Sequence, residues 1–143
     1  NKYPGGESFA LVDGKYGGLN YNDGRWQGFE GINLELIIDQ GSKKDINKIS
    51  IRFLQSTDFW IFYPERVIFS VSESGTDFRD IQILDNVRSN QDSHSDIQVF
   101  QSSFTDLSYR YIKITAENIG FCPKWHKGAG GKAWIFTDEI NIE

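Results

Sequence analysis

RVIFSVS, residues 66–72, places Val67, Phe69 and Val71 on one face of an extended chain. Successive side chains of a strand point to opposite faces, so this period of two marks a half-buried β-strand. The same period runs through KISIRFL (48–54), where Ile49, Ile51 and Phe53 align, and NLELIID (33–39), where Leu34, Leu36 and Ile38 align. Shorter runs follow at 81–84, 97–100, 109–116 and 134–142. β-Branched and aromatic residues fill them, as a pleated, half-buried surface requires. The clusters DQGSKKD, SESGTD and FTDLS read as turns between them. No helical period, internal repeat or linker interrupts the series. The pattern predicts one all-β domain over residues 1–143, a two-sheet sandwich.

Connection lengths carry this further. If successive strands run up and down, alternate connections share an end. Short turns near 40–46, 73–77 and 105–108 then gather at one end. Longer connections near 14–31, 55–64, 85–96 and 117–131 gather at the other. Three of those four hold a tryptophan: Trp26, Trp60 and Trp125. Long, ring-bearing loops at one end of a rigid scaffold are expected to form a binding face. Trp134 alternates within a strand and is expected in the core. Trp26 and Trp60 stay open between ligand platforms and plugs that close the sandwich end, since an indole removes much apolar area from water.

The first of these loops stands apart in composition. ALVDGKYGGLNYNDGRWQGF, residues 10–29, holds five glycines, two Asp-Gly pairs, two asparagines and four aromatic rings. Glycine admits positive φ, so backbone carbonyls can converge on a point. No strand period is expected in it. Its composition suits ligand binding.

The chain has 143 residues, 38% of them hydrophobic and 15% aromatic, which is enough for one domain with a real core. Its formal charge of −5 argues against nucleic-acid phosphate and against anionic membrane lipid as partners. The single cysteine, Cys122, cannot make an internal disulfide and reads as a buried, inert thiol. No apolar run reaches the length of a membrane span and no signal peptide is visible. Methionine is absent even at position 1, so the chain is expected to be a piece of a longer protein whose export signal lies outside it.

Two constellations suggest sites. Asp13 precedes Gly14 after the apolar run FALV, and Asp138 and Glu139 precede INI at the other terminus. If a sandwich brings its first and last strands together, Asp13 and Glu139 can share a calcium ion completed by loop carbonyls. An Asp-Gly turn beside a solvated acidic end is the alternative. His126 follows Trp125 and precedes a glycine run, which suggests a hydrogen-bonding side chain beside a stacking ring; a surface loop histidine is the alternative. Cys122 and His126 lack a second pair to complete a zinc site. No nucleophile elbow is present, and GAGG lacks the spacing and terminal Lys-Ser/Thr of a phosphate loop. An enzyme is therefore not expected.

These residues resemble the F5/8 type C (discoidin-like) domain, and within it the bacterial family 32 carbohydrate-binding modules, over nearly the whole chain. ALVDG resembles the family's opening cation loop. INLELIIDQG resembles its second strand, with Gln40 where leucine is usual. VIFSVSESGTDF, RYIKITAEN and DEINIE resemble later strands and turns. DGRWQGFEG, WIFYPERV and WHKGAGGKAWIFTDEI are similar to modules appended to bacterial glycoside hydrolases, β-hexosaminidases of the chitobiase type above all.

The resemblance implies a jelly-roll sandwich of about eight strands and a structural Ca2+. It implies side-chain ligands Asp13 and Glu139 and carbonyl ligands Ala10, Lys15 and Asp138. Gly18 stands where the family often has threonine, which leaves a weaker site, a carbonyl ligand or recruitment of Asn20. Animal relatives often clamp their termini with a disulfide, and some bind phosphatidylserine. One cysteine and an acidic charge favour the bacterial, glycan-binding branch.

The expected function is a non-catalytic module that holds a parent enzyme on galactose- or N-acetylhexosamine-containing glycans. Trp26, Trp60 and Trp125 would be stacking platforms, and Asn22, Arg25 and His126 hydroxyl partners. The implied location is secreted, periplasmic or on the bacterial cell surface. The rival expectation is a structural or protein-interaction module that packs against the parent's other domains.

Overall fold

A computed structural model of the chain describes residues 3–4, 10–88, 91 and 94–143, with the backbone alone at 3, 4 and 10. Phe9 of the FALV run lies outside the described residues, as does part of the 85–96 connection. The strands are β1 (Tyr3–Pro4), β2 (Gln27–Glu30), β3 (Leu34–Asp45), β4 (Lys48–Gln55), β5 (Arg66–Ser72), β6 (Arg79–Asp85), β7 (Asp96–Ser103), β8 (Ser108–Glu117) and β9 (Trp134–Ile142). They form two antiparallel sheets, one ordered β1-β2-β9-β4-β7 and the other β3-β8-β5-β6. All seven strands expected from alternation are present, and the fold is the jelly-roll sandwich.

The alternating residues face each other across the sandwich. Ile49, Ile51 and Phe53 of β4 meet Val67, Phe69 and Val71 of β5 and Ile112 and Ile114 of β8, all essentially excluded from solvent. A fully buried side chain of this size contributes about 1.5–3 kcal/mol. These facing rows therefore carry the stability without disulfides; Cys122 is a free, buried thiol.

Two details differ from expectation. DQGSKKD is not a separate turn. β3 runs on to Asp45 through a bulge between Asp39 and Lys44, so that Lys44 and Asp45 still pair with Tyr109 and Ser108. Gly41, at φ 83°, provides the bend, and the Gln40 amide bonds the Tyr109 carbonyl at 2.8 Å. Residues 27–30, read as loop, form β2 against β9. Gly28 faces Phe136 there, where a Cβ would come within 2.5 Å of the ring. A strand that needs glycine to fit its neighbour carries no apolar alternation.

Strand registers confirm the two ends. Asp45 pairs with Ser108, Lys48 with Ser103 and Val71 with Arg79, which gathers the β3–β4, β5–β6 and β7–β8 turns. The segments 56–65 and 118–133 emerge at the opposite end, called the tip below. Asn118 anchors that end. Its Nδ2 donates to the carbonyls of Phe29, Ile32 and Ala133, and its Oδ1 accepts from Gly120 N–H at 2.8 Å. Asn118→Ala should cost about 2 kcal/mol in urea denaturation, because the Gly120 N–H and the Phe29 and Ile32 carbonyls lose this side chain together, while the Ala133 carbonyl keeps the Gly31 N–H. An unchanged midpoint would show that water replaces the side chain.

Candidate functional site

The tip is built on a loop tied into consecutive turns. His126 N–H donates to the Pro123 carbonyl, Ala129 N–H to that of His126 and Gly131 N–H to that of Gly128. Cys122 N–H reaches the Gly131 carbonyl and Gly130 N–H that of Cys122, which closes the base. Lys124 and Trp125 occupy the two corners of the first turn. Trp125 is 42% exposed, and its ring meets Phe62 and His126 edge-on at 6.2 and 5.6 Å between centroids. The indole is therefore held from below while part of it faces solvent.

Trp60 comes from the facing segment. Ser56 and Ile61 bond each other through both backbone groups and pinch off residues 57–60. Trp60 sits at the corner with φ 63°, a left-handed conformation rare for a bulky side chain. Its indole lies against Gly128, where a Cβ would come 2.0 Å from Nε1. The ring meets His126 edge-on at 5.4 Å, and the Lys127 ammonium lies 5.2 Å from its centroid. Backbone strain of this kind concentrates at binding sites.

His126 is not available to a ligand. It is 6% exposed, and its Nε2 meets the Thr57 carbonyl at 2.5 Å while its Nδ1 accepts from Gly128 N–H at 2.9 Å. A carbonyl on Nε2 and an N–H on Nδ1 require the neutral Nε2–H tautomer. The expected hydroxyl partner is instead the pin that fastens the 123–131 loop to the 57–60 turn.

Trp26 is also corrected. It is 1% exposed and packs with Leu54, Ile61 and Phe136 on the outer face of the five-stranded sheet. The platform reading is closed and the plug reading holds, although the plug covers a sheet face rather than the sandwich end. Its Nε1 donates to the Gly18 carbonyl at 3.0 Å, and the ring fits only because residue 17 is glycine. Asn22 and Arg25 lie in the same covering loop, both exposed. Asn22 N–H bonds the Asn20 side chain, and Arg25 Nη1 donates to the Tyr16 carbonyl at 2.9 Å. The loop reaches the tip through Tyr21, whose ring stacks tilted on exposed Phe59 at 4.8 Å.

Of the expected metal residues, Asp138 and Glu139 both bond the loop that follows Asp13. β9 bulges where Ile51 pairs with Ile140 but Phe53 with Thr137, which turns Asp138 and Glu139 toward the covering loop. Asp138 Oδ2 accepts from Gly17 N–H at 2.7 Å and lies 3.2 Å from Arg52 Nη1; Glu139 Oε1 accepts from Gly14 N–H at 3.1 Å. Asp138 Oδ1 and Glu139 Oε2 are buried without a hydrogen-bond partner among the described residues. An orphaned carboxylate oxygen on each of two successive residues is the donor type that a hard, oxygen-seeking cation takes.

Among the described residues, no group of three or more His, Cys, Asp or Glu forms a cage by itself, so carbonyls must complete any such site. Those of Tyr16, Gly17 and Gly18 already accept from Arg25, Arg52 and Trp26. Ala10 sits in a 3-10 turn, Ala10–Val12, beside β9, and Lys15 bonds Asp13 through its backbone N–H at 2.9 Å. Asn20 turns its side chain to Asn22. Sequence reasoning missed Arg52, which also lies over the Tyr16 ring at 4.6 Å. Its visible signal was a charge on the same face of KISIRFL as Leu54.

A separate cleft lies away from the tip. It has about 660 Å3 and opens along the seam of β2 and β3, lined by Leu11, Phe29, Leu34, Leu36, Ile38 and Ile140 among others.

Burial holds the Asp138 carboxyl above the usual range, against the opposing Gly17 N–H and Arg52. Burial also raises Glu139, with the charges of Asp13 and Asp138 adding to it. A carboxyl with a folded pKa above its unfolded one binds protons more tightly when folded. Stability then falls as pH rises through the interval between the two values. Asp39 works in the opposite sense, since Arg110 lowers it to about 2, but that stability is lost only as pH falls below the ordinary carboxylate value of about 4. In the presence of a chelator, the melting temperature should therefore be higher at pH 5 than at pH 7. An equal or lower value at pH 5 would show that these two carboxyls titrate normally.

The F5/8 type C domain model matches residues 1–136. No curated protein sequence matches the chain. Among solved structures, a CBM32 module from Clostridium perfringens, in complex with GalNAc-β-1,3-galactose, superposes with a TM-score of 0.55 at 19% identity, covering 93% of this chain and 80% of that one. The C-terminal domain of a chitobiase from Bacteroides fragilis gives 0.52 at 19% identity, covering 96% and 79%. A GH31 CBM32 module bound to GalNAc gives 0.60 at 14% identity, covering 96% and 87%. At such identities the likeness is one of fold. With 136 of its 143 residues matched, the chain belongs to the F5/8 type C domain family.

Proposed function

We propose that the chain is a carbohydrate-binding module whose site is the Trp125–Trp60 tip. Domains of this family are non-catalytic. One observation carries the reading: Trp125 is part-exposed on a loop stitched by turns and pinned by His126. A pyranose has an apolar C–H face and a hydroxyl edge. The indole takes up the first, and Lys127, beside the Trp60 ring, with exposed Lys124 and Asp58 on the same two turns, serves the second. The sugars bound to the similar Clostridium perfringens and GH31 modules support this ligand class.

An open site with few contacts should bind near millimolar, about −4 kcal/mol. Tethering to a glycoside hydrolase would raise the effective concentration of that enzyme at a polymer. The similarity to a chitobiase domain supports such a parent and a secreted or cell-surface location. Trp125→Ala should weaken binding of GalNAc-containing glycans at least tenfold, about 1.4 kcal/mol, in titrations followed by Trp60 fluorescence, with the melting temperature preserved. Unaltered affinity would move the site off the tip.

The reading includes a structural Ca2+ held by the Asp13, Asp138 and Glu139 carboxylates with the Ala10, Lys15 and Asp138 carbonyls; the Gly18 carbonyl accepts the Trp26 indole N–H instead. Its chemistry would be to neutralise the orphaned carboxylate oxygens and stiffen the covering loop, a preorganising contribution. Asp13→Ala should abolish the rise in melting temperature on adding CaCl2. A rise equal to that of the parent protein would remove Asp13 from the ligand set.

A further inference from the structure

The cleft at the seam of β2 and β3 is built differently from the tip. Every residue from Leu34 to Asp39 lines it. Successive side chains of a strand point to opposite faces, so a cavity touching this whole run follows the strand's edge rather than one face. That edge is free. β3 ends its sheet and pairs with β8 alone. In an antiparallel pair, every second residue turns its N–H and C=O away from the partner strand. Among the described residues, no backbone group of Leu34–Asp39 bonds anything other than β8.

An unpaired edge is a template for another strand, and proteins blunt it with lysine, proline or a bulge. β3 carries such devices only in its second half, where the bulge between Asp39 and Lys44 brings Lys43 and Lys44. Residues 34–39, LELIID, hold none of them. The floor beside this edge is apolar: Leu34, Leu36 and Ile38 turn to the core with Phe29 and Ile140. Val12 and Ile37 also line the cleft, and both are exposed. No Lys or Arg lines it, and its charged residues are carboxylates. Arg110 holds Asp39, whereas Glu35 is exposed and forms no ion pair among the described residues.

We infer that this seam takes an extended peptide segment of a partner, apolar at every second residue and basic between, laid along β3 as a further strand. Free N–H and C=O groups in a row are answered by another extended backbone, which a small apolar molecule does not supply. Apolar side chains on one face of that segment enter the cleft beside Leu34, Leu36 and Ile38. Lys or Arg on its other face meets Glu35, which lies on the outer face of β3 by the same alternation. A second copy of this chain is the poorer occupant, since it brings the same carboxylates and a formal charge of −5. The inference does not depend on what the tip binds.

The test titrates the whole chain with the capped peptide Lys-Val-Lys-Val-Lys-Val, with Glu-Val-Glu-Val-Glu-Val and with the block peptide Val-Val-Val-Lys-Lys-Lys, and reads amide hydrogen exchange. The alternating basic peptide should slow exchange of the outward amides within Leu34–Asp39 about tenfold and leave those of Trp125–Gly128 unchanged. The block peptide keeps the composition without the alternation and should give no such protection. At about 20 mM salt, the acidic peptide should bind about fivefold more weakly than the alternating basic one. Glu35→Lys, an exposed substitution outside the core, should reverse that order. Absence of protection with the alternating basic peptide, equal protection by the block peptide, or an order unmoved in Glu35→Lys overturns the inference. Protection of the same amides without peptide, growing with protein concentration, overturns it too and makes a second copy the occupant.

Discussion

The carboxylate of Asp138 ties the two ends of the chain together. It accepts from Gly17, 121 residues away in sequence, while Arg52 from the neighbouring strand stands against it. Burying a carboxylate costs several kcal/mol unless it is paired and hydrogen-bonded. Here the cost is offset by what the contact brings down onto the sheet. The covering loop seals Trp26 over Leu54, Ile61 and Phe136, and an indole burying on the order of 200 Å2 contributes roughly 5 kcal/mol. The apolar seal and the polar tie need each other. Gly17 allows the ring to lie flat against the backbone and also supplies the N–H that Asp138 accepts.

This arrangement explains which parts of the fold were legible in the sequence. Strands that face the sandwich interior alternate plainly, because one side meets the opposing sheet and the other meets water. β9 and β4 do not follow that rule on their outer faces. Arg52, Leu54, Phe136 and Asp138 sit under the covering loop, so both sides of the sheet are buried there. β2 escaped notice for a related reason. It is four residues long and meets Phe136 with a glycine, so close packing removed the apolar residue that would have announced it.

The site was legible in place more than in role. Counting connection lengths put Trp60 and Trp125 at one end, since alternate connections of an antiparallel sandwich share an end. The nearness of Asp13 to Glu139 was suggested by the chain termini, but for another reason than the one expected: Ala10–Val12 of the FALV run is not a strand beside the last one but a 3-10 turn that packs against β9. Roles depend on side-chain direction, which composition does not contain. His126 beside Trp125 looked like a ligand group, yet one nitrogen reaches Thr57, 69 residues away, and no local pattern encodes that. Gly128 looked like mere loop flexibility, whereas its missing side chain makes the seat for Trp60.

The covering loop and the tip are one mechanical unit rather than two adjacent features. Tyr21 leaves the covering loop to lie on Phe59, one residue before Trp60, and meets Phe136 edge-on at 6.0 Å. The 57–60 turn is thus gripped from one side by Tyr21 and from the other by His126. A left-handed tryptophan costs of order 1–3 kcal/mol in a free turn. An aromatic contact, worth about 0.5–1.5 kcal/mol, and a buried hydrogen bond, worth about 0.5–1.5 kcal/mol, together offset that strain. Order in the covering loop therefore reaches the 57–60 turn through the Tyr21 ring on Phe59, next to Trp60 in the chain.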